Sequence, residues 1–569
     1  MRMIRSFSQA FFLALVASVF LANFSIAQQP APTATPQATQ PKQPPAPQKS
    51  LADYAREARG EKAVAQPNNT QSSKSLSEIA AEKRANRKLE VKISEKDAGE
   101  LLGELDSITQ FASDHSGFLK RNAVKHQVVS QQQVKQYWSD ALFTSAEVDR
   151  LVRSELVLKK FGFVPPDFTL RKYLTEDPSA SLGGFYDFRT KTMNLVNWVG
   201  IDEQGPIMAH ELTHALQDQN FDLATWEHGR GRKTAAMHMQ VGAEPSADQD
   251  ARRAVIEGQA MVVWCDYVLK PLGRTLAEMD DAMDFVKNRL TSSYDNSLVV
   301  RDAPLIFKDS AFFPYREGLI FEMELLKAGG VKKAFGDAFE HPPVDTHQVL
   351  EPRAYLDDER VPAVAIPDLS RVVGAKWEAY DTGSIGQLDV RVMAQEFGTE
   401  NDMFTITPGW NGGSYVAVKR KGVSGTPTTA DVALFYVSRW KDSESADRFA
   451  QVYRKSLRKR VTVSDDRKLD REACVSAARC PSQSTRVDTS EGAVFVEVWP
   501  DHTVLISHSF DDGTFAQLRQ AVMAHSRVSG LAPAQPDLSI KLQALPGFQA
   551  FQERVERELL STFPLGRQR

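Results

Sequence analysis

His210, Glu211 and His214 stand in the run His-Glu-Leu-Thr-His, two imidazoles four residues apart with a carboxylate directly after the first. On a helix, residues four apart lie on one face about one turn from each other, so both rings can reach a single ion. Glu211 then lies beside the ion without ligating it. There it can take a proton from a water polarised by the ion and later pass it to a leaving amine. Zinc lowers the pKa of such a water from about 16 towards 7, which makes the nucleophile available near neutrality. The competing reading is a pair of structural histidines on an amphipathic helix. The helical sequence around the pattern and the strand-like segment before it favour the ion.

A tetrahedral centre needs a third protein group. Gln217 and Asn220 occupy the positions where a glycine and a third histidine would extend the motif, which argues against the metzincin pattern. Downstream, Ala254-Val255-Ile256-Glu257-Gly258-Gln259-Ala260 places a carboxylate in an otherwise apolar helical stretch. A buried carboxylate is costly without a cation or a hydrogen-bond network, so Glu257 is the preferred third ligand. Gly258 and Ala260 would let its helix approach the motif helix closely. An exposed glutamate near a helix start is the plain alternative. His228 and His238 are competing ligands, in a polar insert without helical context. Two residues could donate to a developing oxyanion opposite the metal: Tyr315, in Pro314-Tyr315-Arg316-Glu317-Gly318 ahead of a helical stretch, and His347, in Asp345-Thr346-His347-Gln348. Tyr315 could equally be a packed aromatic.

The elements that must position these groups follow from periodicity. Gly184-Phe185-Tyr186-Asp187 and Met193-Asn194-Leu195-Val196 read as strands, the first a possible edge for a peptide to lie along. The motif helix spans about 204–219, with Pro206 tolerated in its first turn, and a second helix spans about 248–269. Upstream, 76–160 is helical in pattern. Beyond residue 360 the character changes: strand pairs near 414–418 and 431–437, and again near 493–498 and 503–506, each precede a helix. This reads as a duplicated ββα unit in a separate α+β domain expected to fold by itself. The expected class is therefore α+β, with a domain carrying the motif over 76–360 and a C-terminal domain over 361–569.

The N-terminus reads as an export signal. Arg2 and Arg5 precede the apolar run Phe11–Phe20, and Ser25-Ile26-Ala27 supplies a small-residue cleavage site, so 1–27 reads as a signal peptide. Residues 28–75, rich in Pro and Gln at the start, read as a disordered linker. No later segment is apolar enough to span a membrane. The net charge of −4 supplies no basic field for nucleic acid. With only three cysteines and no C-x-x-C pair, a cysteine-rich zinc finger is excluded. Cys474 and Cys480 could close a small disulfide loop, and Cys265 reads as a buried apolar residue.

The run His210-Glu211-Leu212-Thr213-His214-Ala215-Leu216-Gln217-Asp218-Gln219, with Glu257-Gly258-Gln259-Ala260 later, resembles the gluzincin-type zinc metallopeptidases. It is similar to exported bacterial proteins of that class whose substrates are largely unassigned. The resemblance covers roughly 150–360 and extends weakly to Gly409-Trp410-Asn411-Gly412-Gly413-Ser414-Tyr415. It implies a zincin-like, mainly helical catalytic domain with a small sheet, zinc on His210, His214 and Glu257, and Glu211 as the base. Ile256 and Met261 depart from the N-E-x-x-x-D pattern of thermolysin-like members, and the spacing from His214 to Glu257 is wider. The expected function is zinc-dependent hydrolysis of peptide bonds in the periplasm or outside the cell. A zinc amidase acting on a cell-wall amide and a non-catalytic metal-binding recognition protein are the alternatives. An intact Glu211 favours an enzyme over the last.

Overall fold

A computed structural model describes residues 93–134, 136, 145–174, 183–227, 248–279, 282–297, 299–366, 370–469, 480–525, 537–543 and 545–561. The expected signal peptide and linker, the insert with His228 and His238, and Cys474 lie outside the described residues. Cys480 is disulfide-bonded, and Cys265 is a free, buried thiol.

The fold mixes helix and sheet. It opens with helix α1 (Glu95–Ser116), started by a reciprocal cap between Ser94 and Asp97. Strand β1 (Lys125–Val129) and helix α2 (Ser145–Phe161) follow. Strands β2 (Gly184–Asp187) and β3 (Thr192–Val196) complete a three-stranded sheet of order β1-β3-β2. In it β1 runs parallel to β3 and β2 antiparallel, which leaves β2 at an edge. The motif lies in α3 (Ile201–Phe221), with Pro206 inside it. A second long helix, α4 (Gln249–Leu269), is followed by α5 (Leu305–Val331).

The second sheet has seven strands: β4 (Trp377–Ser384), β5 (Trp410–Arg420), β6 (Val432–Trp440), β7 (Val463–Lys468), β8 (Gln483–Thr489), β9 (Gly492–Val498) and β10 (Thr503–His508). Their order is β4-β5-β6-β10-β9-β8-β7, antiparallel throughout, with β6 and β10 paired at the middle. Side chains alternate as a two-sided strand requires. On β6, Val432, Leu434 and Tyr436 enter one core, and Ala433, Phe435 and Val437 enter another. Helix α6 (Gln387–Phe397) follows β4, α7 (Ser443–Arg460) follows β6, and α8 (Asp512–His525) follows β10. Phe449 of α7 packs in the first core and Phe515 of α8 in the second, so the two helices cover opposite faces.

Two more helices, α9 (Leu538–Gln543) and α10 (Pro546–Ser561), return to the first half of the molecule. Leu538, Leu542, Phe548, Val555 and Leu559 join one buried cluster that also holds Val255, Phe312, Leu388 and Tyr436. This core crosses residue 360, and all described residues fall in one compact unit. Among them no helix is long and apolar enough to cross a membrane.

Candidate metal centre

Three close approaches build the centre. Helix α3 is buried along the motif: His210 and Leu212 are fully buried, and Glu211 is only 3% exposed. Asp218 ties this helix to the edge strand by accepting from the Tyr186 hydroxyl (2.8 Å) and the Lys191 ammonium (2.7 Å). Helix α4 then meets α5 through glycine. A Cβ on Gly258 would stand 2.4 Å from the Gly318 backbone, and one on Gly318 would stand 2.3 Å from the Ala254 carbonyl oxygen. The small residue beside Glu257 therefore serves contact with α5, not with the motif helix as its sequence setting implied. This contact sets Glu257 on α4 near Tyr315, one turn before Gly318 on α5.

The three expected ligands come together. His210 Nε2 lies 3.0 Å from His214 Nε2. Glu257 Oε2 lies 3.4 Å from the first and 3.2 Å from the second. For ligand bonds of 2.0–2.2 Å, one edge of a tetrahedron measures about 3.4 Å, so these atoms have the spacing of one face of a tetrahedral cation site. Glu257 Oε2 is buried and has no hydrogen-bond partner among the described residues. Two ring nitrogens facing one another and one orphaned carboxylate oxygen form a donor set that a divalent cation satisfies.

The supporting hydrogen bonds favour the same tautomer. His214 Nδ1 donates to Gln217 Oε1 at 2.9 Å, which leaves Nε2 with its lone pair towards the centre. The Gln217 amide donates to the Ile256 carbonyl and to Gln259 Oε1, both at 3.0 Å. Gln259 donates in turn to the Ala334 carbonyl at 2.9 Å. Glu211 Oε2 accepts the Tyr186 backbone N–H at 2.8 Å, so strand β2 holds one oxygen of the expected base.

The structure adds residues that sequence reasoning missed. Glu553 and Glu556, on α10, reach the same place. Glu556 Oε1 lies 3.5 Å from His210 Nε2, and its Oε2 accepts the Tyr315 hydroxyl at 3.1 Å. Arg253, one turn before Glu257, is held by Glu227 (2.7 Å) and by Gln552 of α10 (2.9 Å). Pro314 lacks an N–H, which frees the Ser310 carbonyl within α5, and Gln552 donates to it over a long 3.5 Å. Burying Phe548, Phe551, Val555 and Leu559 fixes α10 in place by ~6–12 kcal/mol as an upper bound, at ~1.5–3 kcal/mol per side chain. Glu553 and Glu556 gave no sequence signal, standing in an ordinary amphipathic helix far along the chain. Arg253 could have been found from its spacing to Glu257.

Electrostatics show a surplus of negative charge. Without a cation, burial and the charges of Glu211 and Glu257 push the Glu553 carboxyl up to about 8. Burial, then Glu211 and Glu553, drives Glu556 well above the usual carboxylate range. Burial opposes charge on Glu257 as well, yet the adjacent His214 and His210 hold its carboxyl below the ordinary value. His214 is disfavoured as a cation by burial, but Glu257 beside it raises its pKa to about 9. Burial, followed by Glu257 and Glu556, keeps the Tyr315 phenol protonated and hence a donor.

Of the two expected oxyanion donors, Tyr315 is at the site, in the middle of α5 and not ahead of a helix, with its proton engaged by Glu556. His347 is elsewhere. It is buried in the short helix Thr346–Leu350, with Nδ1 2.8 Å from Gln387 Oε1, Nε2 3.7 Å from Glu359 Oε1 and its ring against Trp410. None of these contacts is to the centre.

A family model described as a domain of unknown function, DUF8575, matches residues 372–514. That stretch holds the seven-stranded sheet and ends before α9 and α10. The chain matches no curated protein and no solved structure.

Proposed function

We propose that this chain is an exported zinc metallopeptidase of the gluzincin type that hydrolyses peptide bonds in the periplasm or outside the cell. The observation that carries this reading is the triangle of His210 Nε2, His214 Nε2 and Glu257 Oε2, with edges of 3.0–3.4 Å, beside a buried glutamate. Its finer fold is a zincin-like catalytic part, with motif helix, ligand helix and edge strand, joined to two strand-strand-helix units. β6 and β10 join the two units, but α7 and α8 cover opposite faces of the sheet, which argues against the units being copies related across that antiparallel pair.

His210, His214 and Glu257 would hold zinc, which when bound supplies Lewis acidity and an acidified water. Glu211 takes the water's proton on the oxygen that Tyr186 does not occupy, then delivers it to the leaving amine. Gln217 keeps His214 in its ligating tautomer. Strand β2 stands at the edge of its sheet, but its four residues are buried and its Tyr186 N–H is held by Glu211, so it presents no open edge to an extended substrate. The test is incubation of purified protein with a diverse peptide library and a cell-wall preparation, with and without chelator. Chelator-sensitive peptide cleavage is expected. Release of cell-wall amides alone would establish the amidase alternative.

A further inference from the structure

Glu556 comes from the last described helix, yet it touches the motif. It lies with His210 and Glu211 in one buried group whose ligand atoms are within 4.8 Å of one another. His214 and Glu257 form a separate group with His210, so Glu556 sits on the base's side of the centre, not at a corner of the ligand triangle. Its second oxygen takes the Tyr315 hydroxyl. A carboxylate here could be a removable plug, a metal ligand or a fixed working part. The apolar burial of α10 and its polar ties to Arg253, Ser310 and Ser297 argue against a plug. Its grouping with His210 and Glu211, and not with His214 and Glu257, argues against a fourth corner on that triangle, although those three could themselves surround an ion.

We infer that Glu556 is a positioning residue of the site: it pins the Tyr315 hydroxyl and confines the Glu211 carboxylate on the face where water and the scissile carbonyl meet. The inference rests on the peptidase reading. It makes α10 part of the catalytic apparatus, although the helix lies outside both the motif region and the family-matched stretch. Groups held in position around the reacting atoms matter for turnover more than for substrate binding, because their placement counts most in the transition state.

The experiment compares Glu556→Gln, Glu556→Ala, Tyr315→Phe and the double variant Tyr315→Phe/Glu556→Ala. Each is measured for zinc content after dialysis and for kcat and KM on the best library peptide. Glu556→Ala should lower kcat by about 10- to 100-fold with KM changed less than about threefold. Glu556→Gln keeps an oxygen that accepts from Tyr315, so it should recover most of that loss. The double variant should be no slower than the worse single one, as expected of residues acting as a unit. Zinc should stay stoichiometric in all four. Zinc loss in Glu556→Gln would make Glu556 a ligand and overturn the inference. Unchanged or faster turnover in Glu556→Ala, or losses that multiply in the double variant, would overturn it too. Wild-type protein that binds zinc but cleaves nothing would overturn the peptidase reading itself.

Discussion

Replacing Gln217 by Leu keeps the volume of a fully buried side chain and removes three hydrogen bonds at once. The Ile256 carbonyl lies inside α4 and keeps its helical partner, so its loss is minor. His214 Nδ1–H and Gln259 Oε1 are left unpaired in the interior. At about 1–3 kcal/mol for each buried unsatisfied group, the metal-free fold should lose about 2–6 kcal/mol. With its tautomer no longer fixed, His214 should bind zinc about 10- to 100-fold more weakly. Gln217→Glu separates the two effects: it still accepts from Nδ1–H but cannot donate to Gln259, so affinity should hold while stability falls. Competition against a chromogenic chelator measures the first quantity, and urea unfolding of metal-free protein the second. Zinc affinity within about threefold of wild type in Gln217→Leu would refute the claim that this amide sets the ligand.

Three further outcomes follow from the same geometry. Glu257→Ala should lose zinc while the double variant His228→Ala/His238→Ala keeps it, read by metal analysis; the reverse pattern would move the third ligand into the polar insert. Gly258→Ala should destabilise by roughly 1–3 kcal/mol or more, because its methyl meets the Gly318 backbone, and it should weaken zinc binding by displacing Glu257; a stable, zinc-replete variant would show that the helices can part freely. His508 is buried and hydrogen-bonded to Tyr453, with its pKa held well below 6.5 by burial and by Arg460 and Lys160. The unfolded state then binds the extra proton first, so stability should fall as pH drops below about 6.5. His508→Gln should flatten that slope by up to about 1.4 kcal/mol per pH unit, and an unchanged slope would contradict the assignment.

Local chemistry was legible in the sequence, and long-range convergence was not. His210, Glu211 and His214 could be placed because helical spacing alone sets them on one face, and Glu257 because a carboxylate in an apolar helix needs a reason. Gln217 entered only as a missing metzincin glycine; its hydrogen bond to His214 depends on a rotamer that spacing does not reveal. Strands β2, β3, β5, β6, β9 and β10 carry apolar runs and could be recognised. Strands β7 and β8 are polar and largely outside the core, so no alternation marked them. Tyr315 reads as lying ahead of a helical stretch, whereas it sits within α5, directly after Pro314. His347 offered the right functional group, but burial against Trp410 and Gln387 spends it on packing. Helix α10 looked like any amphipathic helix, and only the fold brings Glu556 to His210.

Catalysis at this centre depends on the division of labour within the motif, and Glu211→Gln tests it. Glu211 follows His210, so its side chain leaves the helix about 100° from that ligand, with one oxygen held by the Tyr186 N–H. The amide variant keeps the shape and loses the basic oxygen. Zinc content and peptide hydrolysis should be measured side by side on the same preparation. The account predicts stoichiometric zinc with hydrolysis slowed by about 10² to 10⁴. Undiminished hydrolysis, or loss of the metal from Glu211→Gln, would contradict it.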